Sequence, residues 1–77
     1  MLGNKIRMLM KYRNKQQRDF FGIFGVSSDS AMTNKLTLNR ISLIELIKLC
    51  DSLDYEIVIK DKQNQDEILK FYPVDIK

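Results

Sequence analysis

Apolar residues recur along this chain with two periods, and the change between them divides it. In "LGNKIRMLMKYRN", Leu2, Ile6, Leu9 and Met10 fall at helical spacing with Lys5, Arg7, Lys11 and Arg13 between them, which predicts a first helix with one apolar and one basic face. In "KQQRDFFGIFGVS", Phe20, Phe21 and Phe24 form a stripe with Ile23 beside it. The spacing predicts a second helix over roughly 16–24, closed by Gly25, since a left-handed residue at a helix end costs least for glycine. Gly22, inside that pattern, reads as room for another helix to pack closely. Ser27 and Ser28 both suit an N-cap, and Met32 and Leu36, four apart, define one face of a third helix. Asp29, Ser30, Thr33 and Asn34 are left on its other sides. After a loop at "TLNR", the stretch "SLIELIKLCDSLD" has Ser42 with Glu45 three residues on, the signature of a capping box. Leu43, Leu46, Ile47, Cys50 and Leu53 then mark the apolar stripe of a fourth helix.

Beyond residue 54 the period drops to two. "YEIVIK" and "EILKFY" flank a polar "DKQNQD", and Pro73 ends the second run or confines it to an edge. The reading is a β-hairpin pairing 55–60 with 67–72. A lone hairpin is marginal in water, so this one has to cover the helices or pair with another chain. The second option is favoured, with Ile57, Ile59, Leu69 and Phe71 as the dimerising residues. The expected organisation is a helical core over 1–54 and a hairpin extension and tail over 55–77, within one domain.

Composition narrows the chemistry. With 77 residues, 44% of them apolar, one small core is possible, and association would supplement it. Histidine is absent and Cys50 is the one cysteine, so a zinc site of the usual kind and an internal disulfide are not expected. Cys50 itself sits in an apolar helical pattern and reads as a small buried hydrophobe. Met8, Met10 and Met32 read as packing residues. No apolar run approaches the roughly 18 residues needed to span a bilayer, and no signal-peptide pattern opens the chain. A cytoplasmic protein without metal or cofactor is the expectation. Nothing resembles an activated nucleophile or a phosphate-binding glycine loop, so catalysis is not expected, and no catalytic residue is nominated. The net charge of +3 is unevenly spread. Residues 1–40 carry eight bases and two acids, and residues 41–77 carry five bases and eight acids. A basic front half points to a polyanionic partner.

The segments "NKIRMLM", "QQRDFFGIFGVS", "AMTNKL" and "SLIELIKLCDSLDYEIVI", in this order and spacing, resemble the phage-repressor (Cro-like, or Xre-type) helix-turn-helix proteins. The resemblance covers about residues 2–60 and is closest to small single-domain members with a C-terminal hairpin. It implies a mainly α, four- to five-helix lambda-repressor-like domain that binds double-stranded DNA as a homodimer and regulates transcription, most simply as a repressor from a bacterium, phage or mobile element. The third helix would enter the major groove while the second crosses the backbone. Gln17 matches the glutamine that opens the second helix in this family and bonds a phosphate. Lys15, Arg18, Ser28, Lys35, Asn39 and Arg40 would join it at phosphates, and Asp29, Ser30, Thr33 and Asn34 would reach base edges.

Several residues admit two readings. Asn34 has the geometry to pair bidentately with adenine, or it stands on an exposed face with no partner. Lys35, Asn39 and Arg40 contact phosphate or belong to a solvated loop. Asp29 complements the helix dipole, accepts from cytosine N4, or signals that DNA binding has been lost. The chain also departs from the family pattern, with Phe21 where a small residue is usual and Ser27 as an extra residue in the turn. The alternative function is a protein-interaction module on the same fold (antirepressor, inhibitor or adaptor), and a third is an antitoxin-type regulator that also holds a protein partner.

Overall fold

A computed structural model describes residues 2–76. Helix α1 (Leu2–Tyr12) buries Gly3, Ile6 and Met10. Leu2 and Met8, expected inside, are exposed, Met8 by 48%, because the face that meets the rest of the molecule is set by Gly3 rather than by the largest side chains. A Cβ on Gly3 would lie 2.2 Å from the Leu36 carbonyl oxygen, so α1 crosses the third helix there at a distance only glycine allows. Gly22, the expected close-packing glycine, has open space around it.

The second helical stretch is less regular than its sequence suggests. A 3-10 turn (Gln17–Phe20) runs into a single turn of α-helix, α2 (Phe21–Phe24). The turn is held by the Gln16 N–H donating to the Asp19 carboxylate at 2.9 Å and the Asp19 N–H donating back to the Gln16 carbonyl at 3.1 Å. Phe20 and Phe24 are buried, with Phe21 and Ile23 packed beside them. Helix α3 (Asp29–Thr37) follows, with Met32 and Leu36 both fully buried, and then α4 (Leu43–Ser52). Thr37, expected in the loop, is the last residue of α3.

In α4 the capping box is present. The Ser42 hydroxyl accepts from the Glu45 N–H at 3.1 Å, and the Glu45 carboxylate accepts from the Ser42 N–H at 2.9 Å. The buried stripe is Ile47, Leu49, Cys50 and Leu53. Leu43, expected on it, is exposed, and Leu49 takes the inner place. Burial pushes the Cys50 thiol above its ordinary pKa, in keeping with a packing role.

All four helices end the same way. Asn14, Gly25, Asn39 and Asp54 adopt left-handed backbone, with φ of 56°, 64°, 55° and 62°. The next residue's N–H then reaches back five positions: Lys15 to Met10 at 3.0 Å, Val26 to Phe21 at 3.1 Å, Arg40 to Lys35 at 2.9 Å and Tyr55 to Cys50 at 2.7 Å. This closure satisfies carbonyls that a helix end leaves without partners. Asn and Asp are the side chains best able to take glycine's place there.

The core cluster joins all four helical stretches through Ile6, Met10, Phe20, Phe24, Met32, Leu36, Leu49 and Leu53, with Tyr55 against its rim. Arg13 fastens the exit of α1 to the end of α4. Its Nε donates to the Leu53 carbonyl at 3.0 Å, and its guanidinium lies 4.2 Å from the centre of the Tyr55 ring. Strands β1 (Ile57–Lys60) and β2 (Glu67–Phe71) form an antiparallel hairpin pairing Ile57 with Phe71, Val58 with Lys70 and Ile59 with Leu69. An irregularity follows Ile59. In the connecting turn the Asp61 carboxylate accepts from the N–H groups of Gln63 and Asn64 at 2.8 and 3.2 Å. The strands are shorter than the sequence suggests. Tyr72 lies outside β2, and Pro73 opens a 3-10 turn (Pro73–Ile76) that packs on α4. The molecule is therefore mainly helical with a two-stranded C-terminal hairpin. Among the described residues no helix is long and apolar enough to cross a membrane.

Candidate nucleic-acid interface

Burial of Met32 and Leu36 decides what α3 shows to solvent. With those two inside, Asp29, Ser30, Thr33 and Asn34 are all exposed. Ser28 is the N-cap. Its hydroxyl accepts from the Ala31 N–H at 3.2 Å, and its carbonyl takes the Met32 N–H at 3.1 Å. Of the two candidate caps, the structure uses Ser28 and leaves Ser27 in the turn. Ser28 and Ser30 bring their hydroxyls within 3.5 Å. Asp29, Thr33 and Asn34 make no side-chain hydrogen bond among the described residues. Asn34 and Ala31 line a shallow depression of about 340 Å³ together with Lys35 and Arg40.

The expected phosphate contacts divide. Lys15, Arg18 and Arg40 are exposed, and none is in an ion pair among the described residues. Gln17, half-buried, opens the 3-10 turn on which α3 packs, which brings the start of the second helical stretch beside α3. Lys35 is placed differently from the expectation. Its ammonium donates to the Phe24 carbonyl at 2.8 Å and makes a short ion pair with the Glu45 carboxylate. The pair ties α3 to the end of α2 and to the start of α4, and it neutralises the charge in place. Asn39 has a backbone role as the left-handed residue closing α3.

Glu45 thus serves twice, in the α4 cap and against Lys35. Its partial burial by itself raises the carboxyl pKa. The Lys35 ammonium and the Ser42 N–H together outweigh that and hold it below its ordinary value. Sequence reasoning overlooked this pair because its members are ten residues apart on different helices. The only trace in the sequence is that Glu45 occupies the third position of a helix beginning beside a basic segment.

At the far end of the molecule, Ile57 and Phe71 are half-buried toward the helices, whereas the next pair out, Ile59 and Leu69, is 44% and 54% exposed. These four share one face of the hairpin, since directly paired residues and those two apart lie on the same side. No family model, curated protein or solved structure matches this chain.

Proposed function

We propose that this chain is a double-stranded DNA-binding protein of the helix-turn-helix class, and within that class a phage-repressor-type transcriptional regulator that acts by occupying an operator. In this reading the Gln17–Phe24 stretch and α3 form the motif, and α3 enters the major groove. Asp29, Ser30, Thr33 and Asn34 face base edges, while Lys15, Gln17, Arg18, Ser28, Asn39 and Arg40 hold phosphates. The observation that carries the reading is the surface of α3. A helix pinned by two fully buried residues presents a row of short polar side chains with few internal partners, flanked by exposed cations that no carboxylate neutralises among the described residues. A second copy would associate through the exposed Ile59 and Leu69 pair of the hairpin, doubling the half-site. The regulator needs no cofactor and carries out no chemistry.

The direct test is binding to random and genomic duplex pools in salt from about 50 to 200 mM. Selection of a sequence subset, with affinity falling steeply as salt rises, supports the regulator, and a palindromic selection supports the dimer. Leu69→Glu should shift the sedimentation of any dimer to that of a monomer.

One observation favours a second reading, a protein-interaction module on the same fold. Among the described residues Asp29, at the start of α3, is in no ion pair, and Lys35 is consumed by Glu45. Arg40 is then the nearest free cation in sequence on that side. A folded protein that ignores every duplex at low salt would overturn the first reading and make a pull-down for a protein partner the test of this one.

A further inference from the structure

Beside its buried stripe, α1 carries a second row. Asn4, Arg7 and Lys11 follow at intervals of three and four residues, which places them along one side of the helix. This row lines an open groove of about 470 Å³ together with Lys15, Gln16 and Gln17. Met8 contributes exposed apolar wall to the same groove. The lining contains three cations and no acid. Among the described residues, none of the three is in an ion pair. Arg7 is partly fixed in direction, because its Nη1 donates to the Asn4 side-chain oxygen at 3.2 Å. Three like charges around one groove repel each other until an anion lies between them, and the neighbouring amides of Gln16 and Gln17 add donors for its oxygens.

The position of the groove says which anion. Its lining includes Gln17, the first residue of the 3-10 turn on which α3 packs. A polyanion lying across the polar face of α3 and running past Gln17 continues into the groove. A duplex has this form, with charge repeating about every 3.4 Å along each strand, and an open groove suits a passing backbone better than an enclosed small molecule. We propose that the α1 groove, through Arg7, Lys11 and Lys15, seats backbone phosphates of the DNA strand flanking the sequence faced by α3. The footprint then extends beyond the helix-turn-helix itself. This rests on the DNA-binding reading above and deepens it.

The experiment compares the full chain with the double variant Arg7→Gln/Lys11→Gln and, as a control for charge alone, Lys62→Gln in the hairpin turn. Each is titrated against a selected duplex and a scrambled duplex at several salt concentrations, and folding is checked by thermal melting. The expected result is that the slope of log affinity against log salt falls by about 2 in the double variant, at about 0.9 per lost contact. Both duplexes weaken by the same factor, and the control is unchanged. Lys11→Gln alone, at an exposed position, should lower the slope by about 1 and serves if the double variant melts early. A wild type that binds duplexes and a variant with the same slope would overturn the groove and leave the DNA reading standing. A variant that changes sequence preference would also overturn it, since phosphates carry no sequence. A wild type that binds no duplex would overturn both.

Discussion

Helices α3 and α4 follow each other in the chain, have nine and ten residues, and are both capped by serine, yet their first turns are built to opposite ends. In α4, Ser42 and Glu45 satisfy each other's backbone donors, and the Glu45 carboxylate also takes Lys35. Both polar side chains of that turn, Ser42 and Glu45, have partners within the protein. In α3 the third position after Ser28 is Ala31, which cannot return the bond, so Ser28 caps alone. Asp29 at the first position then has no hydrogen-bonding partner among the described residues, and Ser30 has only the neighbouring hydroxyl of Ser28. A capping box uses up polar groups in stabilising its own helix. A helix that forgoes it keeps them for something outside. The pair also differs in what lies beneath: α3 sits under α1 and against the Gln17–Phe20 turn, whereas α4 carries the C-terminal turn.

The largest effects should come from the shared feature of the two helices, their buried faces. Leu36→Ala empties a fully buried site and should destabilise by about 2–5 kcal/mol. Thr33→Ala, one turn away on the open face, should stay within about 0.5 kcal/mol, and chemical denaturation of both variants measures the contrast. If the two losses were similar, α3 would not be divided into an inner and an outer side. Next in size is Gly3→Ala. The new methyl meets backbone at the α1–α3 crossing, where nothing as pliable as a side-chain tip can give way. Overpacking of this kind costs about 1–3 kcal/mol, and a lowered melting temperature with retained helical circular dichroism is the expected outcome. Gly22→Ala, in open space and inside a helix, should do the reverse and raise stability by roughly 0.5–1 kcal/mol.

Signals that live within four or five residues could be read from the sequence, and those that need two distant segments could not. The Ser42–Glu45 box and the left-handed Gly25 are local, and both stand as expected. The four helical stretches and the hairpin follow from periodicity alone. Gly3 gave no signal, because its role depends on Leu36, thirty-three residues away. The phase of α4 was ambiguous for a different reason. "LIELIKL" is apolar nearly all round, so stripes through Leu43 and through Leu49 fit equally well, and only packing chooses Leu49. Lys35 looked like a free base until Glu45 was placed beside it. Asn14, Asn39 and Asp54 carry a usable signal, an Asn or Asp just past the last apolar position of a helix, and of the three only Asn39 also reads as a phosphate contact in a basic chain. For the candidate interface, the Met32 and Leu36 pair was enough to say which side of α3 is out. Which cations remain free was not legible without the fold.

The caps themselves should separate the helices at the next level down. Ser42→Ala and Ser28→Ala each remove a side-chain acceptor at a helix start and should cost about 0.5–2 kcal/mol. Ser42→Ala should be the more costly, because it also loosens Glu45, which Lys35 depends on. The same carboxylate gives a pH signature. Its folded-state pKa lies below the unfolded one, so its contribution is complete above the ordinary carboxylate range near about 4.3 and disappears as the pH falls through the lowered folded value. Glu45→Gln should therefore be less stable at neutral pH, and its stability should fall less steeply on acidification. Parallel acid-unfolding curves for the two proteins would mean that the Lys35 pair contributes nothing.

The smallest effect on stability, and the most informative about function, belongs to Asp29→Asn. The residue is exposed at the first position of α3, where a negative charge favours the helix by about 0.3–1 kcal/mol. Asparagine keeps the shape and removes the charge, so melting should change by little. Duplex binding should change by more, and in a way that assigns the side chain. If Asp29 only complements the helix dipole, its removal takes a repulsion away from the phosphates and strengthens binding to every duplex alike. If it accepts from cytosine N4, the variant loses preference at one base position while gaining affinity elsewhere. If α3 serves a protein partner instead, neither the wild type nor the variant binds DNA, and the free first turn that sets α3 apart from α4 belongs to a protein contact.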